Sequence, residues 1–190
     1  MRTLLFSGAL LLATSFAFAQ KADVHFGLKG GLNISNLYSN PNVNYDPKAG
    51  LHAGGLAHIH LSKTWALQPE IMYSNQGAKS GGTNVNLHYV NVPLQLQYMF
   101  DRGFRIQTGP QAGILAGAKA KNGSVKTDIT SNFKTADLSW ILGASYVGES
   151  GLGIDARYNW GMTPINDGGN VKVYNRNFQV GLFYVFKHKY

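Results

Sequence analysis

Residues 50–77 read GLHAGGLAHIHLSKTWALQPEIMYSNQG, two alternating runs joined by a short polar link. Apolar or small side chains occupy every second position from Leu51 to Leu61 and again from Trp65 to Tyr73. This alternation predicts two β-strands, because successive side chains leave a strand on opposite faces. The link 62–64 is short enough to make them an antiparallel hairpin. Each run is about as long as the roughly 9–11 residues that a tilted strand needs to cross a bilayer.

The same alternation recurs along the whole chain. It predicts eight strands, near residues 24–36, 51–61, 65–74, 87–100, 104–116, 135–147, 152–160 and 178–186. The links between them alternate between long and short, and the long ones cover 37–48, 75–86, 117–134 and 161–175. Even strand numbers, short turns on one side and long loops on the other are typical of bacterial outer-membrane barrels. We therefore expect an all-β fold, an eight-stranded antiparallel transmembrane up-and-down β-barrel.

Three prolines interrupt this pattern. Pro69, Pro93 and Pro110 lie inside predicted strands, where each removes one backbone donor from the ladder. We expect bulges or local pairing gaps at these positions.

The composition separates a membrane barrel from soluble β-folds. Charged residues make up 14% of the chain, against about 25% in ordinary soluble domains. A soluble sandwich would expose the polar face, and a lipocalin-like barrel would enclose the apolar face around a ligand. The polar face here is mostly Gly, Gln, Asn and Ser, which suits a narrow filled lumen. We therefore expect the apolar face to meet lipid.

The first residues have the pattern of an export signal. Arg2, an apolar run and Ala17-Phe18-Ala19 predict a secretory signal peptide over 1–19, which leaves 20–190 as the barrel domain. The sequence contains no Cys, which excludes disulfides and thiol chemistry. The formal net charge is +8, but the basic residues are scattered, so we expect attraction to lipid phosphate and no nucleic-acid partner.

Charged side chains on the predicted inward face form the first candidate site. Charges in a narrow, dehydrated lumen must be paired. We predict a polar network that fixes the barrel; the alternative is an ion pathway, which the small lumen of an eight-stranded barrel disfavours. Its members would be Lys29, Glu70, Arg105, Asp155 and Arg157, with Asp137 nearer the long loops.

Histidines raise two further alternatives. His58 and His60 have a spacing that could ligate a metal, and His52 shares their face. The sequence fixes no carboxylate beside them, so we expect lumen hydrogen bonds, no metal and no cofactor.

A lipid-modifying enzyme would need Ser and a carboxylate beside a His at the outer end. His52 and His88 have no such motif, so we expect no enzymatic activity.

The longest link, 117–134, is the second candidate site. Loops are where binding function usually lies. This loop is either simply solvated or a surface that binds lipid A phosphates or a host or phage partner. We predict contacts to lipid phosphate from its basic residues, Lys119, Lys121, Lys126 and Lys134.

Several short motifs carry a resemblance to a known family. They are Gly50-Leu51-His52-Ala53-Gly54, Leu67-Gln68-Pro69-Glu70, Val92-Pro93-Leu94, Gly109-Pro110 and Ala156-Arg157-Tyr158-Asn159. With this order and spacing, residues 20–190 resemble the small porin-like or PorT-like outer-membrane barrels of Bacteroidetes-type bacteria. The resemblance implies location in the outer membrane and assembly by periplasmic chaperones and the barrel-assembly machinery.

The function expected from these features is structural or surface-binding. We expect a monomer whose partners are lipopolysaccharide and a surface ligand of the loops. A narrow channel for ions or small solutes and an accessory part in protein secretion stay open as alternatives. A lipid A-modifying enzyme is a weaker alternative.

Overall fold

The computed structural model describes residues 23–40, 45–168 and 170–186. The predicted signal peptide lies outside these residues. The strands are β1 (Val24–Asn40), β2 (Lys48–His60), β3 (Trp65–Ser80), β4 (Thr83–Met99), β5 (Phe104–Asn122), β6 (Val125–Asp128), β7 (Ala136–Val147), β8 (Leu152–Gly161) and β9 (Lys172–Val185). The helical elements in this part of the chain are single 3₁₀ turns at Asp101–Gly103 and Thr130–Asn132. None of its helices is long and apolar enough to cross a membrane.

Eight of the strands close into a ring. Each pairs with the next in antiparallel fashion, in the order β1, β2, β3, β4, β5, β7, β8 and β9. The ring closes where β9 pairs with β1, with Gly31 opposite Gly181. The predicted eight-stranded antiparallel barrel is therefore confirmed. The short β6 lies outside the ring and, among the strands described, pairs with β5 alone.

The barrel has two distinct ends. At the turn end, short links 61–64, 100–103 and 148–151 join the strands. At the loop end, the prediction of a long link over 75–86 is wrong, because β3 and β4 continue to a two-residue turn at Gly81 and Gly82. Both glycines have positive φ, +53° and +79°, as a tight hairpin turn requires. The strand ends there carry mostly polar and small residues, so no apolar alternation marked them.

The two faces of the ring are chemically opposite. Phe26 on the outward face is 65% exposed, whereas Lys29 on the inward face is 5% exposed. Aromatic side chains gather on the outside near both ends: Trp65, Tyr98, Phe100 and Phe104 at the turn end, and Tyr38, Trp140, Trp160 and Tyr174 at the loop end. An apolar surface this extensive marks contact with an apolar environment. The expected orientation of the faces, polar inside and apolar outside, is confirmed.

Pairing gaps accommodate the three prolines. Between β2 and β3 the ladder is interrupted beside Pro69 and resumes in the same register. The β3–β4 ladder has a gap at Pro93, and the β4–β5 ladder has one at Pro110. Each proline thus costs local backbone pairing without shifting a strand.

Two glycines on β1 lie in contrasting surroundings at the closure of the ring. A Cβ added to Gly31 would clash with the backbone of Val180 and Gly181. It would lie 2.5 Å from the Gly181 Cα. A Cβ added to the neighbouring Gly30 would meet its nearest neighbour, the His52 carbonyl oxygen, at 3.6 Å, an ordinary contact.

We predict that Gly31→Val destabilises the barrel by roughly 1–3 kcal/mol, the usual cost of forcing volume into a packed interior. Urea unfolding in detergent micelles, followed by tryptophan fluorescence, measures this. Gly30→Val is the matched control and should unfold close to the wild-type midpoint. Equal midpoints for the two variants would show that closure tolerates a side chain at Gly31.

Candidate functional site

The interior is layered along the barrel. Near the turn end lies a small apolar cluster, the turn-end cluster, of Leu56, Val147, Phe183 and Val185. A second apolar cluster, the loop-end cluster, contains Leu37, Ala78, Leu87, Tyr89, Leu115, Ala118 and Ile165. Buried polar side chains from the ring strands fill the space in between. Sequence reasoning missed the loop-end cluster because several of its members lie in segments predicted as links.

Four of the predicted lumen charges meet in one group, here called the charge quartet: Lys29, Glu70, Asp155 and Arg157. Arg157 Nη1 donates to Glu70 Oε2 at 2.7 Å, and Lys29 Nζ lies 3.5 Å from Glu70 Oε1. Lys29 also forms an ion pair with Asp155. All four side chains are almost completely buried. Two cations therefore balance two carboxylates, as burial of charge requires.

Amide side chains extend the charge quartet toward both ends of the lumen. Gln68 Nε2 donates to Glu70 Oε1 at 2.9 Å, and Gln107 Nε2 donates to Asp155 Oδ2 at 3.4 Å. On the other side, Arg157 Nε donates to Gln179 Oε1 at 2.5 Å.

The chain of hydrogen bonds continues from Gln179 toward the loop end. Its Nε2 donates to Asn33 Oδ1 at 2.8 Å, and Asn33 Nδ2 donates to Ser74 Oγ at 2.8 Å. His52 Nδ1 lies 2.8 Å from the same Asn33 oxygen. The network therefore joins strands that are far apart along the chain and on different sides of the ring.

Arg105, the fifth predicted network residue, lies apart from the charge quartet. It is buried, and its Nη1 lies 3.5 Å from His58 Nδ1. Asp137 is half-buried and lines a lumen cavity near Asn91, Gln111 and Asn159. The structure thus brings together four of the five predicted charges and separates Arg105 from them.

This lumen cavity is very small. Its volume is about 10 Å³, close to the minimum of roughly 10–15 Å³ that one water needs. The loops also fold over the mouth at the loop end. Lys134 N donates to the Ile165 carbonyl at 2.7 Å, and Asp167 N donates to the Asn132 carbonyl at 3.0 Å. The part of the lumen beneath the loops is therefore nearly filled by side chains.

The predicted basic loop contains a hairpin of β5 and β6, here called the basic hairpin (119–128). Lys121 lies directly opposite Lys126, and Lys119 lies opposite Asp128, so all four occupy one face. Hydrogen bonds from Thr130 lower the pKa of the exposed Asp128 below its ordinary value, which keeps it ionised. The face therefore carries three cations against one anion. Lys134, also exposed, lies beyond the hairpin.

A loop-end cation that sequence reasoning did not single out lies against aromatic rings. Arg176 lies on the outside of β9, with its guanidinium carbon 4.1 Å from the centroid of the Tyr38 ring and 5.9 Å from that of Trp160. The groove around it has a volume of about 510 Å³ and is lined mainly by aromatic side chains. The signal available in the sequence was an arginine in phase with the outward-facing residues of the last strand.

The histidines considered for catalysis lie on opposite faces. His52 is inside the lumen, whereas His88 lies on the outward face, with Nδ1 2.7 Å from the Tyr73 hydroxyl. The geometry does not bring them together.

Comparisons with known proteins agree with this architecture. A family profile described as "Outer membrane protein beta-barrel domain" matches residues 18–167. Neisserial surface protein A is 15% identical with a TM-score of 0.56, over 84% of this chain and 96% of that one. Ail, the attachment invasion locus protein of Yersinia pestis, is 15% identical with a TM-score of 0.52, over 86% of this chain and 99% of that one. These likenesses are of fold. No curated protein matches the sequence.

We predict that Glu70→Gln destabilises the barrel by about 3–5 kcal/mol, because it leaves two buried cations facing one carboxylate. Urea unfolding in micelles measures the loss. Glu149→Gln, in an exposed turn, is the control and should be neutral. The double variant Glu70→Gln with Lys29→Gln restores the charge balance and should recover part of the stability. An unchanged midpoint for Glu70→Gln would mean that the charge quartet does not stabilise the fold.

Proposed function

The chain belongs to the outer membrane protein beta-barrel domain family, and from this premise we propose that it is a filled barrel whose loop end binds anionic groups of lipopolysaccharide. The observation that carries the proposal is the contrast between a lumen whose charge quartet is internally balanced and the exposed lysines of the basic hairpin at the loop end. In this proposal the apolar outer face holds the barrel in the membrane, and the loop end binds the ligand.

The expected orientation supports this proposal. Outer-membrane barrels carry short turns at the periplasm and longer loops outside the cell. On this basis the turn end faces the periplasm and the loop end faces outward. Arg176, in the loop-end aromatic belt, then lies near the outer leaflet and its phosphate groups, and the basic hairpin extends beyond it on the outer side.

The basic hairpin is suited to bind an anion. Like charges directly opposite each other on paired strands are destabilising. Lys121 and Lys126 have this arrangement, and both are exposed. A phosphate between them would remove their repulsion, so the same pair that weakens the free hairpin favours an anionic ligand.

Arg176 supports a second contact of the same kind. A guanidinium forms paired hydrogen bonds with phosphate and also stacks on aromatic rings. Tyr38 and Trp160 hold it at the outer surface beside an apolar groove. A lipid with a phosphorylated headgroup and an acyl chain matches both features.

One structural relative binds a polyanion. Ail has been crystallised in complex with the heparin analogue sucrose octasulfate, and that structure has a TM-score of 0.54 with 13% identity, over 86% of this chain and 99% of that one. For this chain we propose a ligand of the same charge, and the exposed lysines are the reason.

The other roles rank lower in this proposal. A narrow channel is disfavoured by the small lumen cavity and the apolar clusters at both ends. We propose a non-catalytic monomer, assembled with periplasmic chaperones and the barrel-assembly machinery. The PorT-like affiliation, with an accessory part in secretion, is a further proposal that rests on the sequence motifs.

We predict that the protein is electrically silent in a planar lipid bilayer, since the lumen is filled. Single-channel recording measures this, with a known porin as the positive control. Reproducible conductance steps whose ion selectivity changes in Arg157→Gln would make the lumen a pathway and contradict the filled-barrel proposal.

We predict that Lys121→Gln with Lys126→Gln weakens binding to lipopolysaccharide about 30-fold at low salt, at about 1 kcal/mol per basic residue near an anionic surface. Binding to lipopolysaccharide micelles, followed by tryptophan fluorescence, measures this. Lys63→Gln with Arg102→Gln removes two exposed charges from the turn end and is the matched control. Equal affinity for both double variants would reject the basic hairpin as the site.

A further inference from the structure

Three side chains capable of binding a metal meet at the turn end, on the edge formed by the start of β1 and the end of β2. They are Asp23, His25 and His60, here called the rim triad. One ligand atom from each lies within 4.8 Å of the other two. His60 closes β2, and its backbone N donates to the Asp23 carbonyl at 3.0 Å. This backbone hydrogen bond brings Asp23 beside the end of the neighbouring strand.

The side chains of the rim triad are already directed at one another. His25 Nε2 lies 3.0 Å from Asp23 Oδ2. The rings of His25 and His60 are nearly perpendicular, with centroids 5.5 Å apart. His60 Nδ1 is buried and has no hydrogen-bond partner among the described residues. An imidazole nitrogen in that condition is costly unless something binds it.

We propose that the rim triad is a binding site for a divalent transition-metal ion, with Zn²⁺ as the ion that its donors suit best. Two imidazoles and one carboxylate are a frequent zinc ligand set, whereas Ca²⁺ and Mg²⁺ take mainly oxygen ligands. Tetrahedral zinc with ligands at about 2.0–2.2 Å would place the donor atoms roughly 3.3 Å apart. The donor atoms already lie within 4.8 Å of one another, and the Asp23 side chain, which is 69% exposed, has room to rotate toward the ion.

The bound ion would connect two strands at the rim. It would replace the proton between His25 and Asp23 and would bind His60 as well, so that the start of β1 is fastened to the end of β2. Three protein ligands leave a fourth position for water. This site differs from the expectation drawn from the sequence, in which His58 and His60 had no carboxylate nearby and no metal was predicted. Pairing of the strands supplies Asp23 and His25.

Neighbouring charges set the pH dependence of the site. The groups that face His60 are Asp23, His25, His58 and Arg105. Asp23 favours a cation there, whereas Arg105 opposes it. The imidazoles must be neutral to bind a metal, so zinc affinity should fall as the solution is acidified.

The test uses the full protein, purified from outer membranes without a polyhistidine tag, stripped with a chelator and titrated with ZnCl₂ by calorimetry. We expect one ion per chain at micromolar affinity, a higher unfolding temperature with zinc, and no displacement by excess Ca²⁺. Asp23→Asn, His25→Gln and His60→Gln should each weaken binding by at least about tenfold. His88→Gln, which removes a histidine at the loop end, is the matched control.

A folding control separates the loss of zinc binding from the loss of the fold. Heat-modifiable migration on gels verifies that each variant is folded, and the exposed Asp23→Asn is the variant least able to disturb the barrel. Loss of binding in the three triad variants but not in His88→Gln supports the proposal. Equal affinity in all variants, displacement by Ca²⁺, or no heat of binding for the wild type would overturn it.

Discussion

Burying a charge away from water costs several kcal/mol unless an opposite charge lies within hydrogen-bonding distance. Lys29 and Arg157 satisfy this condition through Glu70 and Asp155, so removing any single member of the four would leave an opposite charge unbalanced. The charge quartet comes from three strands, β1, β3 and β8, that are not neighbours of one another in the ring. The charge quartet can therefore form only when the barrel is closed, and it stabilises the closed barrel from inside.

This requirement constrains the register of the strands. A slip of one residue on β3 would move Glu70 from the lumen to the lipid face and leave two cations inside facing one carboxylate. The prolines of β3, β4 and β5 are tolerated because the ladder resumes in the same register after each gap. Backbone pairing is lost locally, whereas the position of Glu70 is kept.

In the function proposed for this barrel, binding takes place at its ends because the lumen is nearly filled by side chains. The loop end carries exposed lysines on the basic hairpin and a half-buried arginine beside the Tyr38 ring, the positions proposed to meet lipid headgroups. The turn end collects histidines and one carboxylate at the junction of β1 and β2. The closed ring brings residues distant in sequence together at both ends.

The sequence by itself determined the strands, their inward and outward faces and the burial of Glu70 and Arg157, because period-two alternation is a local property. It did not determine that β3 and β4 meet at Gly81 and Gly82, since polar strand ends resemble loops. Only the tertiary structure decided that Glu70 pairs with Arg157 while Arg105 lies apart, and that Asp23 and His25 join His60. Such contacts depend on the register of every strand pair that lies between the two residues. They depend also on the stagger that these registers produce together around the ring.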